Sequence, residues 1–587
     1  MSNTELANLL ERTAILKRLA GENDFKAAAY DRAARTIENL EISIKDYIEN
    51  EKVLDIDGIG KSLAAEIYAY GETGTLPAME KAEAAVPGGL AKWLEIPGLG
   101  PKKIFKIHKE LGITEMDQLI ERCKDGSVAK LKGMGAKTAD KIVKSIEFIQ
   151  EHGERCRVDE ATFVAETFRD FMAKVEGVKS IEIAGSLRRR CETIGDIDLL
   201  VAANPEDTPF IMQTFVDHPN VIEILAQGDT KASVRTQDGR QVDLRVVPPN
   251  HFAATLMYFT GNKDHNVVMR QRARDRGMAL NEYGLFKLDA SGDTDFSNPV
   301  EAESEKAIYQ KLGLPFIQPE LREDHGEFDY FENNAEIDLL ELEEIKGVLH
   351  AHSTWSDGAF TIYEMARGCI ERGYTYLGIT DHSKSASYAG GLTINRVKDQ
   401  WKEIDAVNAQ LLDEGYDFRI FKGIESDILS DGSLDYPEDI LAGFEFIIAS
   451  VHSSLDMPVD EMLERMKNAA ANPYCTMIGH PTGRLLLKRK GNTFDINALI
   501  EHATACNTGI EINANPRRLD IDWRYGNKAR SCGMMTSINP DAHTLDMLDD
   551  VVHGVNIARK AGFNAERVLN TRTHADLSEY FQQSRKV

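Results

Sequence analysis

Three short segments in the first part of the chain share one pattern of apolar and glycine positions. Each reads apolar-x-Gly-apolar-Gly, and the copies lie at residues 56–60, 96–100 and 131–135. A helical pattern follows each copy, which predicts helices over residues 61–70, 101–111 and 136–149. A glycine pair permits a tight turn with positive φ and leaves the first N–H groups of the next helix exposed. The pattern therefore predicts three tight corners between short helices.

The pattern changes to that of strands farther along the chain. Apolar runs at residues 181–184 and 197–201 predict two strands, which a Gly-Ser turn and three arginines join. Asp196 and Asp198 are two positions apart at the start of the second strand, so alternation places both carboxylates on one face. The apolar residues between and after them face the opposite way, into a core. The alternating stretch 241–247 predicts a further strand.

Beyond residue 340, short apolar strands alternate with helical patterns, and metal-ligating residue types follow the strands. These residues are His350, His352, Asp357, His382, Glu425, His452, His480, Asp541 and His543. Functional residues at successive strand ends are typical of a barrel of repeated β/α units. A single histidine of this kind is more often a core or surface residue. Nine nitrogen and oxygen ligands without a thiolate favour a metal cluster.

Composition places the chain among soluble multidomain proteins. A length of 587 residues predicts roughly three to five domains, and a 42% hydrophobic content without a long apolar run predicts no membrane helix. The seven cysteines are never spaced as CxxC, which favours a reducing compartment over a disulfide framework. The start of the chain lacks the features of a signal peptide. We therefore expect a cytoplasmic protein without membrane contact.

The net charge of the whole chain argues against DNA as a partner, whereas the local charge near the N-terminus argues for it. The formal charge is −26, from 95 acidic and 69 basic residues. Residues 1–150 carry 22 basic and 24 acidic side chains, however, and residues 91–150 carry 12 basic against 8 acidic. Such runs are commonly solvated helix faces, but here lysine follows each glycine corner. N–H groups at a helix start and nearby lysines bind phosphate without reading bases.

The corners resemble helix-hairpin-helix motifs, which bind the DNA backbone and in which turn carbonyls can also hold K⁺ or Na⁺. The expected DNA-binding residues are Gly58, Gly60, Lys61, Gly98, Gly100, Lys102, Lys103, Gly133, Gly135 and Lys137.

A third carboxylate completes a pattern for phosphoryl transfer. Asp243 lies in the predicted strand 241–247, and with Asp196 and Asp198 it can hold two divalent ions, Mg²⁺ or Mn²⁺. Upstream, backbone donors and guanidinium groups for a triphosphate come from Gly185, Ser186, Arg188 and Arg189. This arrangement suits nucleotidyl transfer, with the three aspartates as catalytic residues.

The motifs GSLRRR, GDID, VDLR, YFTG and NEYG resemble, in order and spacing, family X DNA polymerases, the relatives of DNA polymerase beta. The resemblance implies a multidomain α/β protein: a helical N-terminal domain (1–85), helix-hairpin-helix fingers (86–150), a mixed-sheet nucleotidyltransferase palm (151–262) and a thumb (263–320). The linker (321–340) is predicted from composition, because the stretch 316–340 is acidic and contains proline and is therefore typical of the end of a thumb followed by a linker. The resemblance also implies dNTP contacts: Gly185, Ser186, Arg189 and Gly195 around the triphosphate, Tyr258, Phe259 and Gly261 beside the sugar, and Asn266 and Arg270 beside the base and template.

The order HxH, Asp, DH, Glu, VHS, GHP, DxH resembles the PHP (polymerase and histidinol phosphatase) domain. This implies that residues 341–587 form a distorted (β/α)7 barrel that holds up to three Mn²⁺ or Zn²⁺ ions. The ions lower the pKa of a bridging water, and the chemistry is phosphoester hydrolysis.

Two positions depart from the polymerase pattern. In relatives that excise a 5′-deoxyribose phosphate, a Schiff-base lysine lies six positions after the first corner's second glycine, and here that position is Glu66. A carboxylate cannot form an imine, and Lys61 is offset by most of a turn, so we expect weak or absent lyase activity. Asn262 stands where serine often follows YFTG, and it retains hydrogen-bonding capacity.

The two resemblances together imply a monomeric bacterial DNA polymerase that fills short gaps in base excision repair. Its partners would be dNTPs and gapped or primed double-stranded DNA with a 5′-phosphate. The PHP domain would add 3′→5′ exonuclease activity and incision at abasic sites. Two alternatives stay open: a PHP nuclease or phosphoesterase whose polymerase half is only a DNA clamp, and a non-catalytic DNA-end scaffold.

Overall fold

The computed structural model describes residues 3–38, 40, 44–56, 58–87, 89–96, 99–152, 155–333 and 338–585. The chain divides into two compact units, residues 1–153 with 487–489 and residues 154–486 with 490–587. Within the described ranges, no helix combines the length and the apolar character that crossing a membrane requires.

The first unit is helical. Its helices are α1 (Asn3–Leu19), α2 (Asp24–Glu38), α3 (Ile44–Glu49), α4 (Lys61–Thr73), α5 (Pro77–Ala85), α6 (Pro101–Leu111), α7 (Met116–Lys124) and α8 (Ala136–His152). They enclose two apolar cores, one from residues 6–78 and one mainly from residues 90–146. A short 3₁₀ turn precedes each glycine corner, and α4, α6 and α8 begin directly after the second glycine of each corner. The three predicted helices are therefore confirmed.

The second unit begins with a mixed sheet. Its elements are β1 (Cys156–Arg157), α9 (Val158–Met172), β2 (Val178–Ile183), α10 (Gly185–Arg188), β3 (Thr193–Ile194), β4 (Asp196–Ala203), α11 (Thr208–Val216), β5 (Val221–Gln227), β6 (Lys231–Thr236) and β7 (Gln241–Val247). The sheet order is β2-β4-β7-β6-β5, and within it β4 and β7 are parallel whereas the other pairs are antiparallel. Ile197, Leu199 and Val201 of β4 are buried, as alternation predicts.

A helical segment and a small sheet follow. They comprise α12 (Phe252–Thr260), α13 (Lys263–Arg274), β8 (Met278–Asn281), β9 (Gly284–Leu288), β10 (Thr294–Val300), α14 (Glu305–Lys311) and α15 (Glu327–Asn333). The segment expected to be a linker, 321–340, is folded instead where the structure describes it. It contains α15 and the fully buried Arg322, which donates to Glu305 at 2.6 Å. Two of its acidic residues have buried partners, since Glu323 pairs with Lys560 and Glu327 with His265.

The C-terminal part is a parallel β/α barrel. Its elements are β11 (Gly347–Ala351), α16 (Ile362–Glu371), β12 (Tyr376–Ile379), α17 (Ile394–Asp413), β13 (Arg419–Lys422), β14 (Glu425–Asp427), α18 (Glu438–Leu441), β15 (Ile448–Ser450), α19 (Val459–Ala471), β16 (Met477–Ile478), α20 (Ile496–Ala505), β17 (Gly509–Asn513), α21 (Gly526–Cys532), β18 (Thr536–Asn539), α22 (Val551–Lys560) and α23 (His574–Ser584).

Strand pairing closes this barrel. The strands form two parallel sheets, β11-β12-β13 and β14-β15-β16-β17-β18. Only residues 423–424 separate β13 from β14, so one interrupted strand joins the two sheets. At the other end Ala351 pairs with Ala542, and Leu349 N donates to Asn539 Oδ1 at 3.0 Å. Counted in this way the barrel has seven strands, which confirms the predicted distorted (β/α)7 architecture.

Candidate active sites

The three predicted catalytic aspartates meet on the mixed sheet. Parallel pairing of β4 with β7 places Asp198 directly beside Asp243, and one carboxylate oxygen from each of the three lies within 4.8 Å of the others. Burial raises the pKa of Asp198 to about 7, and the charges of Asp196 and Asp243 act in the same direction. Carboxylates so close repel one another unless a cation lies between them. The donor set is oxygen alone, which fits Mg²⁺ or Mn²⁺.

Gly185 brings the backbone against this cluster. Its φ is +61°, and a Cβ there would lie 2.1 Å from Asp198 Oδ2, so only glycine fits. Gly185 and Ser186 begin α10, and Ala184 N donates to the Asp198 carbonyl at 2.8 Å. Gly195 directly precedes Asp196. The glycine-serine turn therefore lies beside the aspartates, where a triphosphate would be bound.

The two arginines after this turn have different partners. The Arg189 guanidinium donates to the Thr260 carbonyl at 2.6 Å and to Glu323 at 3.1 Å. Arg188 donates to both carboxylate oxygens of Glu305, at 3.0 and 2.6 Å, and to the Thr260 hydroxyl at 2.6 Å. Arg188 therefore ties α10 to α14, and its contribution of a second guanidinium to a triphosphate stays a prediction.

The expected sugar and base contacts lie on α12 and α13. The Phe259 ring packs against the Arg245 guanidinium, with 4.5 Å between the ring centroid and Arg245 Cζ. Phe259 also lines the same cleft as Asp198 and Asp243. Tyr258 and Phe259 are half-buried, and Gly261 ends α12 with its Cβ position 3.3 Å from Arg189 Nη1.

The two residues expected beside the base lie on α13. Asn266 donates to the Tyr258 carbonyl at 2.7 Å, while its buried Oδ1 finds no hydrogen-bond partner among the described residues. Arg270 is exposed one turn later.

Two further residues contact the third aspartate. Lys231 Nζ lies 3.1 Å from Asp243 Oδ2, and Gln241 donates to Asp243 Oδ1 at 2.8 Å. Gln241 could have been found, because it is two positions before Asp243 on one strand. Nothing in the sequence pattern marks Lys231, which reaches Asp243 from the neighbouring strand β6.

The nine expected ligands of the barrel converge at the carboxyl ends of its strands. Three groups have ligand atoms within 4.8 Å of one another: His352, Asp357, His382 and His543; His350, His352 and Asp541; and His382, Glu425 and His452. His352 and His382 each belong to two groups, so the groups form one continuous centre. His480 lies against this centre, with Nε2 2.9 Å from Glu425 Oε1.

Glu425 is the shared carboxylate of the centre. Its oxygens lie 2.9 Å from His382 Nδ1, 3.3 Å from His452 Nε2 and 3.6 Å from His350 Nε2. Ring nitrogens of His350 (Nε2), His352 (Nδ1) and His480 (Nδ1) are buried without a hydrogen-bond partner in the described structure. Such orphaned nitrogens in a carboxylate-rich cavity fit bound metal ions.

Two carboxylates that the sequence did not single out orient these ligands. Glu511 Oε1 lies 2.7 Å from His350 Nδ1, and its Oε2 accepts from the His480 backbone N at 2.9 Å. Asp427 lies 2.6 Å from His452 Nδ1. Each contact fixes which ring nitrogen faces the candidate metal centre. Both residues carried a signal, since Glu511 interrupts an apolar strand and Asp427 follows Glu425 by two positions.

The glycine corners have one common turn. The N–H of Ile59, Leu99 and Met134 donates to the carbonyl three residues earlier, at 3.1, 3.1 and 2.9 Å. For α4 and α6 no side chain caps the helix start, so backbone N–H groups are available to phosphate. Of the lysines, Lys61 and Lys137 are exposed, and Lys102 pairs with Asp24 at 2.8 Å. Gly98 lies outside the described residues.

Glu66 has a structural partner. Its Oε2 accepts from Ala78 N at 2.8 Å, near the start of α5. The residue at the expected lyase position therefore supplies an acceptor for the orphaned N–H groups of a neighbouring helix.

The fold and the two centres define a class of protein: a nucleotidyltransferase with helix-hairpin-helix domains joined to a metal-binding phosphoesterase barrel. Family models match four segments: Helix-hairpin-helix domain (residues 1–76), SAM-like Helix-hairpin-helix tandem (92–147), DNA polymerase beta thumb (255–323) and PHP domain (349–515). The chain is 40% identical to the DNA polymerase/3'-5' exonuclease PolX of Bacillus subtilis (strain 168) over 587 residues, 100% of both chains. It belongs to this family, the polymerase beta-like family X polymerases with a C-terminal PHP domain.

More distant similarities cover parts of the chain. A probable phosphatase of Thermoanaerobacter sp. (strain X514) is 27% identical over 249 residues, 40% of this chain and 94% of that protein. The structure of Leishmania infantum polymerase beta in a ternary P/T complex matches with 24% identity and a TM-score of 0.27, covering 40% of this chain and 99% of that chain.

Proposed function

We propose that the protein is a DNA-directed DNA polymerase that fills short gaps in DNA repair and degrades 3′ ends with a 3′→5′ exonuclease in its barrel. The observation that carries this proposal is the presence of two distinct ligand centres, one of three aspartates and one of histidines around Glu425. The full-length likeness to a protein named DNA polymerase/3'-5' exonuclease supports the pairing of the two activities.

In the polymerase centre, Asp196, Asp198 and Asp243 would hold two divalent ions, Mg²⁺ or Mn²⁺. When bound, such ions activate an attacking oxygen and stabilise a leaving group. Backbone N–H groups of Gly185 and Ser186 and the Arg189 guanidinium bind the triphosphate of the incoming dNTP. Tyr258, Phe259 and Gly261 flank its sugar, and Asn266 and Arg270 lie beside its base and the template.

In the barrel, the nine ligands would hold up to three ions, Mn²⁺ or Zn²⁺. When bound, these ions lower the pKa of a coordinated water and stabilise charge on a phosphoester. Glu511 and Asp427 keep the His350 and His452 rings in one orientation. The same centre suits incision at abasic sites, which is also phosphoester hydrolysis.

The three glycine corners support DNA as the binding partner. Their N–H groups and lysines would contact the DNA backbone, and turn carbonyls would hold K⁺ or Na⁺. We propose that the substrate is gapped or primed double-stranded DNA with a 5′-phosphate and that the enzyme is monomeric and cytoplasmic. The proposed domain boundaries are those given under Sequence analysis, except that residues 321–333 are folded and are assigned to the thumb.

A primer-extension and degradation time course tests the proposal. The substrate is DNA with a one-nucleotide gap, incubated with Mg²⁺ or Mn²⁺ and with or without dNTPs. We expect one-nucleotide extension with dNTPs and Mn²⁺-favoured shortening of the 3′ end without them. Shortening without single-turnover extension would favour a nuclease with a DNA clamp. Neither activity and no bound transition metal would favour a scaffold.

A further inference from the structure

A lysine of the barrel reaches into the polymerase half of the second unit. Lys560 is the last residue of α22, and its side chain has no exposed surface. Its ammonium donates to the carbonyl oxygens of Arg189 at 2.9 Å and Glu320 at 3.2 Å, and it lies 4.5 Å from the centroid of the Trp523 ring. A buried ammonium is costly unless it is paired and hydrogen-bonded, so these partners define what Lys560 does.

Glu323 is the carboxylate that Lys560 shares with Arg189. Its Oε1 accepts from Lys560 Nζ at 2.5 Å and from Arg189 Nε at 3.1 Å, and its Oε2 accepts from Asn262 Nδ2 at 3.1 Å. Burial would raise the pKa of Glu323, but Lys560 and then Arg189 outweigh it, so the pKa lies below its ordinary value. Glu323 is therefore an anion held between two cations.

The balance of charge decides what Arg189 can bind. Two cations share one carboxylate here, so a positive charge remains for a ligand. Without the lysine, Glu323 and Arg189 would be left as a neutral pair. A guanidinium and a carboxylate readily form two parallel hydrogen bonds, so an incoming triphosphate would have to compete with Glu323 for Arg189.

We propose that Lys560 is a positioning residue for nucleotide binding: by pairing with Glu323, it prevents this carboxylate from competing with the triphosphate of the dNTP for the Arg189 guanidinium. The inference rests on the proposed polymerase function and on the proposed role of Arg189. It means that the phosphoesterase barrel contributes to the nucleotide site of the polymerase through α22.

The test measures dNTP affinity in single-turnover extension of a one-nucleotide gap by the full chain. Lys560→Met keeps the length of the side chain and removes its charge. We expect its dNTP Kd to rise about tenfold, a change of roughly 1.4 kcal/mol, with a smaller change in the maximal rate. Lys560→Arg should restore most of the affinity. Arg559→Ala is the matched control, because Arg559 lies on the same helix and contacts Glu320 at 2.7 Å instead of Glu323; its dNTP Kd should stay that of the wild type.

A second substitution separates charge balance from damage to the fold. Glu323→Gln removes the competing anion, so the double variant Lys560→Met/Glu323→Gln should recover dNTP affinity. In an Arg189→Ala background, Lys560→Met should cause no further loss, because the interaction it controls is already absent. Exonuclease activity and the thermal unfolding midpoint report on folding in every variant.

The outcomes distinguish this inference from the proposed function. If the wild type extends no primer, the proposed polymerase function fails. If the wild type extends and Lys560→Met binds dNTP equally well, the positioning role is overturned. A folded Lys560→Met variant with weak binding that Glu323→Gln does not restore also overturns it. Should Lys560→Met fail to fold, Glu323→Gln alone decides, because the inference requires its dNTP affinity to equal or exceed that of the wild type.

Discussion

Gly185 and Asp198 are in such close contact that a Cβ on Gly185 would lie 2.1 Å from the Asp198 carboxylate oxygen. The start of α10 can approach the aspartates only because this position has no side chain. The backbone N–H groups proposed to bind the triphosphate and the candidate carboxylate ligands are thereby held within one small volume. The same contact makes the position sensitive to the smallest substitution.

Gly185→Ala should reduce the rate of gap filling about 100-fold, because a displacement of about 1 Å at reacting groups has an effect of that size. Either Asp198 or the turn must move, and a φ of +61° also strains alanine. Single-turnover extension measures the rate. Gly239→Ala is the control, since its φ is +77° but, apart from its two chain neighbours, no described residue has an atom within 4 Å of its Cβ position. Extension by Gly185→Ala within a few-fold of the wild type would contradict the interpretation.

Substitutions in the two centres should separate the two activities. Asp198→Asn preserves shape but removes a charged metal ligand, and we expect primer extension to fall by about three orders of magnitude while exonuclease activity persists. His352→Ala should do the reverse, because His352 belongs to two of the three ligand groups of the barrel. Both activities are measured on one gapped substrate. Loss of both activities in either variant would refute a model with two independent centres.

Local periodicity predicts which side chains of one strand share a face and which residues end a strand. Alternation placed Asp196 and Asp198 on one face of β4, and strand ends placed the barrel ligands at one rim. What it could not predict are contacts between distant segments. His350 and Glu511 are 161 positions apart, and Lys560 and Glu323 are 237 apart.

The segment expected to be a linker is a second case in which a contact between distant parts of the chain could not be predicted from the sequence. Its composition is acidic, and a run of charge ordinarily indicates solvent. Glu323 is instead largely buried, since Lys560 of α22 pairs with it, and Glu320, directly before the segment, is buried against Arg559 of the same helix. Charge composition alone does not reveal where the opposite charge lies, so the sequence could not distinguish an exposed linker from a buried ionic contact.

Glu511 offers a test of the support behind the barrel ligands. Glu511→Gln retains size but no longer presents a carboxylate to His350 Nδ1, and loss of such a partner typically lowers metal affinity roughly 10–100-fold. We expect a weaker affinity for Mn²⁺ in titrations of the metal-depleted protein, together with exonuclease activity that excess Mn²⁺ restores. Glu414→Gln, which alters a surface contact with Tyr363, is the control. An unchanged affinity in Glu511→Gln would show that His350 needs no such partner.

Glu66, at the position of the expected lyase lysine, predicts little lyase activity in the wild type and a gain of activity when lysine is introduced there. Borohydride should trap little or no wild-type protein on an incised abasic site, because Glu66 cannot form an imine and instead accepts from Ala78 N. Glu66→Lys should increase trapping while destabilising the fold by about 1 kcal/mol through loss of that acceptor. Glu66→Gln retains an acceptor oxygen and should trap nothing. Efficient trapping of the wild type, with Lys61 as the attached residue, would contradict the prediction.

The phosphate contacts proposed for the glycine corners predict how DNA binding depends on salt concentration. If the corners make few phosphate contacts, the logarithm of the affinity for gapped DNA should fall linearly with the logarithm of salt concentration, and removal of one phosphate contact should reduce the slope by about 0.9. Lys61→Ala and Lys137→Ala should each reduce the slope by about this amount, whereas Lys45→Ala, in α3 and outside the corners, should not. Fluorescence anisotropy at several salt concentrations measures the slopes. Affinity that is insensitive to salt would mean that phosphate contacts at the corners do not hold the DNA.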